Sequence, residues 1–102
     1  MGYGMEYSAP TEQYHLLFEA FLEAREAYVQ LEGKGTRLTD QELARDRDYH
    51  RLHVAGRKIV HLGGKAALSG ATRALFPEDE QRTHVASIAL ERYWAGFGTW
   101  TN

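Results

Sequence analysis

Apolar side chains recur at spacings of three and four along the first third of the chain: Tyr14, Leu17, Phe21, Ala24, Tyr28 and Leu31. That period places them on one face of a helix. Phe18, Leu22 and Val29 lie beside this seam. At about 100° per residue they widen the apolar surface to roughly half the circumference. Glu12, Glu19, Glu23, Glu26 and Gln30 form the opposite stripe. The pattern predicts a helix from Thr11, with Glu12 in its first turn where an acid suits the positive helix end. Gly33 and Gly35 are expected to end it. Residues 1–10 then form a flexible arm. Arg25 falls inside the apolar arc, so it is expected to find a carboxylate or to extend its head to water.

A second helix has a sharp predicted start. Thr39-Asp40-Gln41-Glu42 spells a capping box, and Leu38 and Leu43 take the positions of a hydrophobic staple. From Leu43 the pattern runs through Leu52, Ile59 and Val60 to Gly63-Gly64, where the helix can break, and resumes to Leu75. Phe76-Pro77 stops it, because a residue before proline avoids the helical region. A third helix is expected from Glu78, behind three acids. Val85, Ile88 and Ala89 make one apolar strip on it; Ala86, Leu90, Tyr93 and Phe97 make a second beside it, with Trp94 beyond both. Residues 97–102 are an aromatic tail. No alternating run suits a strand. The expected fold is therefore all-α: a single domain over residues 1–102, built as a small bundle of three long helices.

Glycine weakens a helix by about 1 kcal/mol relative to alanine, yet residues 52–71 hold four. On a helical wheel Tyr49, Leu52, Gly56, Ile59, Gly63, Ala67 and Gly70 share one side, small residues alternating with large. Such a side lets another helix approach closely, be it the first helix, the third helix or the same helix of a second subunit. The first helix is apolar over more than one neighbour can cover, and the third offers two strips plus Trp94 and Trp100. These features predict an interface formed by Tyr49, Leu52, Gly56, Ile59, Gly63, Ala67, Leu90, Trp94 and Trp100. They also predict a homodimer, the commonest symmetric assembly.

Composition narrows the chemistry. The chain has 102 residues and no cysteine, which excludes disulfides and thiolate metal sites. No apolar run reaches the length of a membrane span. The start, MGYGMEYSAP, lacks the features of a signal peptide, and Glu6 stands where a myristoylation signal wants Ser or Thr. A cytoplasmic location is expected. The net charge of −2 conceals an uneven distribution. Residues 1–32 carry one Arg and six Glu (−5), residues 33–76 nine Lys/Arg and four Asp/Glu (+5), and residues 77–102 two Arg and four acids (−2). The expectation is that these thirds attract one another in the fold.

Asp46, His50, His53, Arg57 and His61 form one stripe on the second predicted helix. Asp46, His50 and His53 are ligand types for a divalent ion, but Arg57 would repel it and no HExxH pattern is present. No metal or other cofactor is expected. The stripe is expected to be a polar flank, with Asp46 bonded to His50 or Arg25. Ser8, Ser69 and Ser87 lack the setting of a catalytic nucleophile, and Gly63-Gly64-Lys65 lacks phosphate-loop spacing. The chain is not expected to be an enzyme. Arg47, Arg51, Lys58 and Lys65 form a basic stripe, and LTDQELA resembles the opening of a helix-turn-helix segment. The residues after Ala44, however, are expected to continue the helix, and the chain is acidic overall.

These patterns predict a regulator that binds another protein by helix packing. One form is an antagonist that sequesters a bacterial transcription regulator or blocks its dimerisation. A nucleic-acid binder using the basic stripe, and a histidine-based metal or small-ligand binder, are the alternatives.

Overall fold

In the computed structural model, which describes residues 3–97 and the side chains from residue 12 onward, four helices follow one another. They are α1 (Tyr3–Glu32), α2 (Asp40–Arg45), α3 (Arg47–Arg73) and α4 (Glu80–Tyr93), with 3₁₀ turns at Gly35–Arg37 and Ala95–Phe97. No strand occurs among the described residues, and the fold is all-α. None of the described helices is long and apolar enough to cross a membrane.

α1 starts at Tyr3 rather than near Thr11, so helix occupies residues 3–10 of the expected arm, whose first two residues lie outside the described ones. The expected start follows the apolar pattern, which begins only at Tyr14, whereas the helix continues upstream through Pro10. A proline inside a helix forgoes one backbone hydrogen bond, but it does not by itself decide where the helix begins. The other end falls at Glu32, just before Gly33 as expected.

The capping box forms as the sequence predicts. The Glu42 amide donates to Thr39 Oγ1 (3.2 Å), and the Thr39 amide donates to Glu42 Oε1 (2.9 Å). The expected continuous helix beyond it does not form. Asp46 takes extended backbone angles (φ −74°, ψ 133°), ending α2 and capping α3. Its carboxylate accepts from the amides of Asp48 (2.9 Å) and Tyr49 (3.0 Å) and pairs with Lys34 Nζ (2.9 Å). Aspartate competes for nearby amides in this way, which favours a new helix start over helix continuation. The Asp46 carboxylate is thus engaged with Lys34 and two amides rather than with the side chains of His50 or Arg25.

α3 breaks once more, at Gly64 (φ 73°, ψ −174°), a conformation open to glycine and strained for other residues. Beside the break, Gln13 of α1 donates from Nε2 to the Leu62 carbonyl (2.7 Å). α4 begins at Glu80, two residues later than expected, with Asp79 accepting from the Arg82 amide (3.0 Å). The Phe76-Pro77 turn is tied by the buried Thr83 hydroxyl. It accepts from the Phe76 amide (3.1 Å) and donates to the Phe76 carbonyl (2.6 Å).

α1 packs chiefly on α3, and α3 also carries α4. From α1 the core receives Ala20, Ala24, Ala27, Tyr28 and Leu31. The three alanines recur at helical spacing, and their small size lets the two backbones lie close. Leu52, Ala55, Ile59 and Leu68 come from α3, with Ala86, Leu90, Tyr93 and Trp94 from the last segment. Each fully buried leucine contributes about 1.5–3 kcal/mol. Arg25 finds the expected carboxylate: it pairs with Glu78 (2.9 Å), and it also lies over the Phe76 ring at 5.1 Å.

Candidate interaction surface

The small-residue side of α3 does bring elements together, but within the chain. Leu52, Gly56, Ile59, Leu90 and Trp94 are buried in the core of this single molecule. A Cβ on Gly56 would lie 2.6 Å from Trp94 Nε1 and 2.8 Å from Phe97 Cε2. The indole N–H of Trp94 donates to the Leu52 carbonyl (3.1 Å), and Trp94 has no solvent exposure. Tyr49 is half-buried, edge-on to Tyr93, with its hydroxyl 3.4 Å from the Tyr93 carbonyl. Of the helices that could approach this side, it is the chain's own last segment that does so: the C-terminal aromatics Trp94 and Phe97 fill the space that Gly56 leaves. Gly63 is exposed beside Leu17, and Trp100 lies outside the described residues.

Surface available to a partner lies elsewhere, on α1. Its buried alanines point to α3, while Tyr14 (73% exposed), Phe18 (56%), Leu22 and Val29 point outward in one stripe. The wide apolar arc of the sequence thus splits in two. Tyr14 shares the spacing of the seam, but α3 does not cover it. Leu17, Phe21, Ala24, Tyr28 and Leu31 do turn inward, fully or in part. Leu16 is also exposed, on the far flank.

The outward stripe runs into a groove of about 500 Å³ between α1 and the part of α3 beyond Gly64. Tyr14, Leu17, Phe18 and Phe21 form one wall; Ala67, Gly70, Ala71 and Ala74 form the other, with Ile59 and Pro77 also lining it. None of these residues is charged. Of the predicted interface, Ala67 and Ile59 therefore touch this groove. On α4 the strip Ala86, Leu90 and Tyr93 is inside, while Val85 and Ile88 are exposed.

The histidine stripe does not converge. His53 is half-buried, its ring 4.7 Å from that of Phe97 and 5.8 Å from that of Tyr49. Burial, with the positive charge of Arg57 and then of His50, holds its pKa below the ordinary 6.5. His50 and His61 are exposed. Among the described residues no three His, Asp or Glu side chains gather as a metal site would require.

The basic stripe divides as well. Arg51 is bonded to Glu23 (2.8 Å) and close to Glu26 (3.5 Å), whereas Arg47, Lys58 and Lys65 are exposed. A turn does follow Ala44, at Asp46, contrary to the expected continuous helix. Comparison with known family patterns, curated proteins and solved structures finds no match for the chain.

Proposed function

We propose that this chain is a binding module that packs a helix of another protein against the outward face of α1 and the groove beside it. The observation that carries the proposal is the exposed stripe Tyr14, Phe18, Leu22 and Val29, continuous with an uncharged groove. Contiguous apolar surface rimmed by polar residues marks interaction sites, and aromatic side chains are enriched at the centres of interfaces. The proposal needs no catalytic group. A concrete form is an antagonist that covers the helix through which a transcription regulator or enzyme pairs with itself, since packing alone suffices for that.

A photo-crosslinking residue in place of Phe18, compared in native cells with one in place of the exposed Glu91, tests the proposal. A protein adduct of discrete mass is expected at position 18 alone, and Leu22→Glu should abolish it. Equal labelling at both positions, or none at 18, would reject the proposal.

A further inference from the structure

The two flanks of the α1 stripe differ, and the difference identifies the kind of helix that fits. On one side lies the uncharged groove. On the other lies a row of acids, Glu12, Glu19 and Glu26, all exposed. Glu19 precedes Leu22 by three residues and Glu26 follows it by four, so both adjoin the apolar stripe on the helix surface. These carboxylates are lightly engaged. Among the described residues Glu19 pairs with the exposed His15 (3.1 Å), and Glu26 has a long contact to Arg51 (3.5 Å), whose closer partner is Glu23; Arg57 and Lys58 line a groove with both acids but form no ion pair with them.

A second copy of this chain is a poor occupant. Two-fold pairing of α1 with itself has two arrangements. Antiparallel helices bring the same flank of each copy together, setting the acidic row against its own twin. Parallel helices lay each acidic row over the other copy's apolar groove, where carboxylates would be desolvated without a cation. An anionic lipid surface is repelled by the same acids.

We infer that the occupant is an amphipathic helix of another protein, with an apolar face over Tyr14, Phe18 and Leu22 and with Lys or Arg along the edge above Glu12, Glu19 and Glu26. This rests on the proposed docking face and adds the chemistry of the partner. The basic edge sets orientation as well as preference, because only one way of laying the helix down brings its cations to the acids.

Three helical peptides with one shared Leu/Phe face and an edge of Lys, Gln or Glu test this with the full chain, by fluorescence anisotropy. The Lys peptide should bind about fivefold more tightly than the Gln peptide, with the Glu peptide weakest, since exposed pairs add modestly. The gap should close at about 1 M salt. Glu19→Lys with Glu26→Lys should invert the order, with circular dichroism confirming an intact helix content. Equal affinity for all three peptides, abolished by Phe18→Glu, would leave the docking face standing and overturn the basic edge. Binding of none would overturn both. A dimer in light scattering that Phe18→Glu dissociates would assign the face to a second copy and overturn the inference.

Discussion

At Gly56 a single hydrogen atom determines how near two aromatic rings can come to α3. Alanine there would gain up to about 1 kcal/mol in helix propensity but would press a methyl into Trp94 and Phe97. Overpacking of that kind costs about 1–3 kcal/mol, and the obstacle is a buried indole rather than the end of a flexible chain. Gly56→Ala is expected to lower stability by about 1–2 kcal/mol in urea denaturation. Gly70 meets nothing within 4 Å, so Gly70→Ala should instead raise stability by up to about 1 kcal/mol. The helical spacing made the close-packing side of α3 legible, but a wheel does not say which element fills it; Trp94 and Phe97 come from a different helix end. His53 adds a pH effect. Its folded pKa is depressed, so the fold favours the neutral ring. That contribution is complete above pH 6.5 and is lost as pH falls through the lower folded value. Melts recorded on descending from pH 6.5 should show this decline, and His53→Gln should flatten it.

Between elements, the chain's most consequential decision is at Asp46. The capping box was legible because two devices, reciprocal hydrogen bonds and flanking leucines, agree within a few residues. The restart about two turns later was not, because Asp46 lies in a stretch that also suits continued helix. Lys34 helps to tip the balance from outside that stretch: its ammonium reaches both Asp46 (2.9 Å) and Asp48 (2.8 Å). Burial alone would raise the Asp46 pKa, but Lys34 and the two amides outweigh it and hold the carboxyl below its ordinary value of 3.8. A depressed acid stabilises the fold above its unfolded pKa, and the gain is lost as pH falls through the folded value. Asp46→Ala should therefore cost about 1–2 kcal/mol at neutral pH, and the deficit should shrink in strong acid. Chemical denaturation at the two pH values checks both statements.

For the molecule as a whole, ion pairs tie together parts of the chain that are far apart in sequence. Arg51 binds Glu23, Arg25 binds Glu78, Arg92 binds Asp40 (2.7 Å), and Arg82 holds Glu32 while lying 3.8 Å over the Phe76 ring. Each pair joins different thirds of the sequence, but only Arg51–Glu23 joins the basic third to an acidic one in the expected sense; Arg92–Asp40 has the charges the other way round, and the other two pairs join the two acidic thirds. These pairs are at the surface, so each contributes about 0–1 kcal/mol and is screened by salt. Raising salt from about 0.01 M to about 1 M should lower the melting temperature slightly, and less so in Arg82→Gln. The all-α fold was legible because period and stop signals agree over long stretches. The outward face of α1 was legible only as an excess of apolar width. Spacing alone could not divide that width, because the division depends on where α3 lies.

The groove beside α1 has walls of unequal build, and this follows from Gly64. One wall belongs to an unbroken helix whose alanines are locked into the core. The other follows a residue that departs from helical angles. Past Gly64 the course of the chain is therefore fixed by the side chains that enter the core, Leu68, Ala71 and Thr72, as much as by helical backbone geometry.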